Sequence, residues 1–176
     1  MENTISQWVN ALASEMDRVA LRPMFVAIAH CLSTQSLTTA GLAIKTGGSA
    51  IVKTGAAAYY GLAKGILVTV AASTDMPALV GSVANGAYNV FAFFINSEGV
   101  VTSQIGTPGS TLSRVRFPAI PGANAILGFV IIHPTGTGAF VGGTTALDDA
   151  TVVPNAVYIS TLGQFDPTVL VENRAI

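Results

Sequence analysis

The chain has 176 residues, a formal net charge of −1 and charged side chains at only 10 % of its positions. A soluble monomer normally carries about a quarter of its residues as charges, so this composition excludes an ordinary wet enzyme surface and implies that other protein covers much of the outside. The sequence pI near 6.0 and the scattered Lys and Arg residues argue against a nucleic-acid binder, which needs a clustered basic face.

Residues 4–34 read as helical. Thr4-Ile5-Ser6-Gln7 fits a capping box, and Ile5, Trp8, Val9, Leu12, Met16 and Val19 then recur at three- and four-residue spacing. Pro23 stops or kinks this helix, and a second helical piece runs from Met24 to Leu32. After Ser33 the pattern changes to short apolar runs separated by Gly, Asn or Pro. Leu42 to Thr46 and Ser49 to Lys53 flank Gly47-Gly48 and predict a hairpin. Further strands are predicted at Ala58–Leu62, Ile66–Ala72, Tyr88–Asn96, Val100–Ile105, Ser113–Phe117, Ala125–His133 and Val157–Thr161. Short strands with turn signals every ten or so residues predict a mainly β fold, an antiparallel sandwich or jelly roll with an N-terminal helical segment. The boundary falls near residue 35, giving a helical segment over 1–35 and a β domain over 36–176. Residues 166–176 are more polar and read as an extended tail or a final strand.

A mean hydropathy of +0.59 is high, and its apolar surplus needs a large core, a subunit interface, or both. A membrane span does not account for it. From Phe117 to Leu147 there is no Asp, Glu, Lys or Arg, yet Pro118, Pro121, Gly122, Gly128, Pro134, Gly136 and Gly138 break the stretch well short of about 20 apolar residues. The opening residues Met1-Glu2-Asn3-Thr4 lack the pattern of a secretory signal, so cytoplasmic synthesis is expected. Cys31 is the single cysteine, which leaves no disulfide and no cysteine-based zinc site within one chain.

Groups that carry catalysis are few. His30 and Cys31 are neighbours, so on a helix their side chains diverge by about 100° and do not pair. His133 ends the longest apolar strand and reads as a hydrogen-bonded cap or interface residue. Asp148-Asp149 reads as a solvated turn or a cap, because EF-hand spacing is absent around it. Asp75 and Glu98 stand alone, the latter in the turn Asn96-Ser97-Glu98-Gly99. The glycines from Gly136 to Gly143 do not make a phosphate loop, since no lysine accompanies them and Phe140 and Val141 fill the middle. They read instead as places where backbones turn sharply or approach closely. The rings Tyr59, Tyr60, Tyr88, Phe91, Phe93 and Phe94 fall in predicted strands and read as core rather than as a sugar platform. Neither cofactor nor metal is expected, and the chain is not read as an enzyme.

The run Tyr88 to Thr102, followed by Phe117-Pro118-Ala119-Ile120-Pro121 and by His133 to Leu147, resembles tailed-bacteriophage virion proteins, most of all small head-decoration, or cement, proteins. The resemblance covers about half of the chain, from Tyr88 to Phe165, and leaves the N-terminal helices unmatched. It implies a sandwich or jelly-roll body, a homotrimer, docking on the major capsid protein at the outside of the virion head, and no catalytic residue to carry over. Nucleic-acid and membrane partners are not expected. Ile5, Trp8, Leu12 and Phe140 are the candidate interface residues, with the first helix as either the trimer seam or the foot on the capsid. A tail or fibre component fits the same composition, and a β-sandwich module binding carbohydrate or another small ligand is the alternative from a different class.

Overall fold

A computed structural model describes residues 32–122 and 124–165. The described chain is mainly β. Its strands are β1 (Gln35–Ser36), β2 (Ala43–Ile44), β3 (Val52–Lys53), β4 (Tyr59–Ala63), β5 (Ile66–Val70), β6 (Ser82–Val83), β7 (Asn89–Ile95), β8 (Val101–Ile105), β9 (Ala125–Ile132), β10 (Phe140–Val141) and β11 (Val157–Ser160). Every pairing among them is antiparallel. The predicted N-terminal helices, apart from Leu32 and Ser33, and the segment 166–176 lie outside the described residues.

The largest sheet has the order β11-β9-β7-β8. Its centre is β7, in which all seven residues are buried. Alternation along a strand sends neighbours to opposite faces. Accordingly Phe91, Phe93 and Ile95 enter the main core with Leu127, Val130 and Ile132, while Ala92 and Phe94 join Ile126 in a second cluster on the other side. A strand covered on both faces reads as an unbroken apolar run, and the large rings at both parities of β7 carry that signal in the sequence. Full burial of each such ring stabilises the fold by roughly 1.5–3 kcal/mol.

The second sheet has the order β1-β4-β5. Ala63 pairs with Ile66 across a two-residue turn, Lys64-Gly65, in which both residues hold positive φ (55° and 76°). Mirror-image turns of this kind match the right-handed twist of the strands they join. Tyr59, Ala63, Val68 and Val70 face the main core. A buried hydroxyl network ties this sheet to the larger one. Ser36 Oγ lies 2.9 Å from Tyr59 Oη and donates to the Ile126 carbonyl at 2.6 Å, and Thr161 Oγ1 donates to the same carbonyl. Backbone bonds between Ser36 and Gly163 run alongside. Buried polar groups are tolerated when each finds a partner, and here they join four separate stretches of chain.

A hairpin joins the two predicted segments, with Ala43 opposite Lys53 and Ile44 opposite Val52, but this register is one residue off the one a two-residue Gly47-Gly48 turn would set, and a longer loop over residues 45–51 connects the strands. Both glycines hold positive φ (95° and 73°). The strands are shorter than the sequence predicts, although Lys45 N still donates to the Ile51 carbonyl at 3.0 Å beyond them. The fourth sheet pairs β6 with β10, placing Phe140 opposite Val83. Neither of these two-residue strands, nor β1, is foreseen from periodicity, since two residues are too few to show a period. The predicted strand Ser113–Phe117 is not formed. A 3₁₀ turn occupies Leu112–Arg114, and only Arg116 of the predicted strand bridges, to Thr107. Thr111 and Ser113 hydroxyls bond each other at 3.1 Å, and such local side-chain bonding competes with a ladder.

Candidate interaction surfaces

The titratable groups singled out in the sequence stay apart. His133 stacks on Tyr88, with ring centroids 3.6 Å apart and planes 13° from parallel, so it packs against an aromatic neighbour at its strand end. Asp149 accepts from the Thr151 amide at 2.9 Å and from its hydroxyl at 2.6 Å. These bonds to the charged form, the side-chain one first, lower the carboxyl pKa. It is a turn carboxylate, as the sequence reading has it. Asp75 pairs with Lys45 at the surface. Glu98 sits in the β7–β8 turn, where Asn96 Oδ1 accepts from the amides of Glu98 and Val100 at 3.0 and 2.9 Å. Among the described residues no group of three His, Cys, Asp or Glu is placed to hold a metal ion.

The glycine-rich segment serves close backbone contact. A Cβ at Gly136 would stand 1.8 Å from the Thr151 carbonyl oxygen, and one at Gly142 would stand 2.5 Å from that of Leu79. Both lie far inside van der Waals contact, so these positions are glycine for space.

Phe140, a candidate interface residue, is fully buried and packs edge-on against Phe91 with centroids 5.8 Å apart. The interface assignment is therefore corrected. Register with β6 turns the ring inward, and alternation sends the next residue, Val141, to the outside. Ile5, Trp8 and Leu12, like His30 and Cys31, lie outside the described residues.

The exposed apolar side chains gather in places the sequence reading does not single out. The largest group lies on the outer face of the β1-β4-β5 sheet. Tyr60 opposite Thr69 and Leu62 opposite Leu67 share that face with Gln35. Tyr60 is 43 % exposed and Leu67 59 %, so the core assignment holds for Tyr59 and fails for Tyr60. Leu37, whose amide donates to the Tyr60 carbonyl at 2.9 Å, extends the patch at 44 % exposure. Leu32 and Ile66, both more than half exposed, lie at the turn end of the same sheet, where Gly65 N donates to the Ser33 carbonyl. Apolar residues at both parities of β4 and β5 are the signal that marks this face in the sequence. That pattern means burial on both sides, and within the described residues only one side is buried.

A second surface is aromatic. Phe117, Phe129 and Phe165 surround one another with centroid separations of 5.3, 6.0 and 5.7 Å, all half-buried over the outer cluster of the four-stranded sheet. Val157, on edge strand β11, lies exposed on the same side, opposite Ile131. Tyr158, its neighbour on the other side of the strand, buries its hydroxyl without a hydrogen-bond partner among the described residues. Burial, reinforced by the nearby Asp148 charge, pushes that phenol up to about 12.

Compared with known protein families, curated proteins and solved structures, the chain matches none.

Proposed function

We propose that this chain is a non-enzymatic structural protein of a phage virion, a decoration or cement protein that binds the outside of the assembled head as a homotrimer. The observation that carries the reading is a charge-poor antiparallel β body whose described residues expose apolar side chains on the outer face of β1-β4-β5 and half-buried rings on the Phe117/Phe129/Phe165 side, where a monomer in water would carry charges. The resemblance over Tyr88 to Phe165 supports it, and the packing of sheets around one core is in keeping with a sandwich or jelly-roll body. Its partners are then other copies of itself and the major capsid protein, and its site of action is the capsid surface after synthesis in the host cytoplasm.

The mechanism in that role is linkage. A protein that binds only the assembled lattice adds its binding free energy to the cost of disassembly. A trimer gripping three sites converts weak single contacts into firm attachment, because the second and third contacts are effectively intramolecular. Light scattering coupled to size exclusion, across a concentration range, tests the assembly. The expected species is about three times the 18.0 kDa chain, and it should co-sediment with emptied heads of its phage and raise their disruption temperature. A monomer at all concentrations, or a trimer that leaves heads unbound, overturns the reading.

A further inference from the structure

We propose that β5 is a pairing edge, at which a second copy of this chain adds its own β5 antiparallel, about a two-fold axis through Val68. The hydrogen-bond parity of the β1-β4-β5 sheet carries the inference. Tyr60 turns both of its backbone polar groups toward β1 and the residues after it, its carbonyl accepting from the Leu37 amide at 2.9 Å and its amide donating to Thr38 Oγ1 at 2.8 Å. Thr69, directly opposite on β5, therefore belongs to a non-hydrogen-bonded pair and aims its own N–H and C=O away from β4. Leu67, opposite Leu62, does the same by the two-residue period of a strand. Among the described residues no hydrogen bond reaches these backbone groups, and Leu67 and Thr69 are both exposed. Such a row is a template for another strand, and proteins blunt it with Lys, Pro or a bulge. The run Ile66-Leu67-Val68-Thr69-Val70 holds none of these. The longer edge strands of the other sheet differ. Ser103 Oγ on β8 donates to the Ala78 carbonyl at 2.8 Å, and Ser160 Oγ on β11 accepts from the Leu42 amide at 2.9 Å, so neighbouring chain lies against both.

The strand is complementary to itself, which selects the occupant. With Val68 on the axis, Leu67 stands opposite the second copy's Thr69, and residues so opposed exchange both N–H···O bonds. Side chains agree in parity as well: Ile66 meets Val70 and Val68 meets Val68 on one face, and Leu67 meets Thr69 on the other. Charge permits the contact, because Lys64, which adjoins β5 in its turn, lies far enough from the axis to set the two copies' lysines about 26 Å apart, beyond the screening length of physiological salt. Area sets its strength. An edge about 17 Å long and about 10 Å deep offers on the order of 170 Å² per copy, far below the roughly 800 Å² per partner of a stable pair. The contact therefore forms where copies are concentrated or already held near one another. Pairing edge to edge leaves the outer face of the sheet open and lays the two copies' Tyr60 and Leu67 in one larger apolar surface. The inference is independent of the virion reading. A three-fold ring joins copies through unlike patches, whereas this contact joins like to like and links one ring to the next.

Disulfide trapping reads even a weak contact. Full-length Leu67→Cys and Thr69→Cys chains of different tag length, both carrying Cys31→Ser to remove the single native cysteine, are mixed and oxidised at high concentration. Opposed residues stand about 5.5 Å apart at Cα, within disulfide reach, whereas the two copies of residue 67 stand about 7–8 Å apart. The mixed Leu67→Cys/Thr69→Cys dimer should form several-fold faster than either like-with-like dimer, and several-fold faster than a Leu67→Cys/Val157→Cys control. Light scattering on the chain without these cysteine changes should show a mass that rises with concentration. Thr69→Pro removes an outward N–H and no ladder bond to β4, so it should suppress that rise while circular dichroism keeps the strand signal. Thr69→Lys serves if the proline variant does not fold. The mass at low concentration, one chain or three, tests the virion reading, and the rise above it tests this one. Equal rates for all the cysteine pairs, or a rise indifferent to both Thr69 variants, overturns the proposal. A flat mass with no mixed dimer also overturns it, by giving the edge to another segment of the same chain or to a different protein.

Discussion

Lys64 holds a left-handed φ of 55° at the first position of the β4–β5 turn, where a side chain costs roughly 1 kcal/mol that glycine would not. Lys64→Gly removes that strain and also frees the unfolded chain, so the two effects oppose each other. Lys64→Asn keeps the unfolded chain stiff and tolerates left-handed geometry. It should raise stability by a few tenths to about 1 kcal/mol, read as a higher urea midpoint at unchanged slope. The two core-side tyrosines should behave differently on losing their hydroxyls. Tyr59→Phe leaves Ser36 short of one partner and should cost about 1 kcal/mol. Tyr158→Phe removes a buried hydroxyl that bonds nothing among the described residues, and should be neutral or stabilising near pH 7. Alkali should separate the two proteins further. Burial pushes the folded Tyr158 phenol up to about 12, whereas a free phenol titrates near 10.0. Protonation of this phenol therefore leaves folding unpenalised below about pH 10, and stability is lost as pH rises from there toward 12, where the unfolded phenol ionises before the folded one. Denaturant melts across that window should show a shallower loss in Tyr158→Phe than in the wild type.

Among the elements, β10 shows how a two-residue strand can decide where a large ring goes. Phe140 fills the core beside Phe91, so Phe140→Ala should cost about 3–5 kcal/mol. A fall in melting temperature with no specific loss of assembly distinguishes this core role from an interface one. The loop before β10 has as little freedom. Gly136→Ala drives a methyl into the Thr151 carbonyl at 1.8 Å, where backbone rather than a flexible side chain must yield. Thr137 N bonds that same carbonyl at 2.7 Å. The substitution should cost at least about 2 kcal/mol, measured by chemical denaturation, because overpacking against backbone forces the chain apart. The strand β7, by contrast, was legible from composition alone. No charge and large rings at both parities leave a central position as the arrangement that hides them all.

The whole molecule carries almost no net charge, −1 at neutral pH with a sequence pI near 6.0. Little repulsion keeps copies apart, and apolar surfaces on two sheets are available to meet. Turbidity of the purified protein should therefore peak near pH 6 and fall on either side, with added salt having little effect on the apolar contribution. Titratable side chains are as scarce in the sequence as its 10 % charged content implies. Its few titratable residues are dispersed along the chain, and the structure sets His133 against Tyr88, Asp149 against Thr151 and Asp75 against Lys45.

Sequence pattern by itself determined the mainly β class with antiparallel pairing, the strands β4, β5, β7, β8, β9 and β11, and the use of glycine for close approach; it placed a hairpin around Gly47-Gly48 but missed its register by one residue. Each of these rests on local rules, alternation along a strand or the steric demand of a turn, that act over a few neighbouring residues. The interior place of Phe140, the outward place of Tyr60 and the loss of the Ser113–Phe117 strand were decided only in three dimensions. Alternation tells that two side chains face opposite ways, but which way is inward depends on partners distant in sequence, Val83 opposite Phe140 and the main core of β7 and β9 that receives Tyr59 and leaves Tyr60 outside. The hydroxyl network of Ser36, Tyr59 and Thr161 is of the same kind, since its partners are up to 125 residues apart and no local pattern announces their meeting.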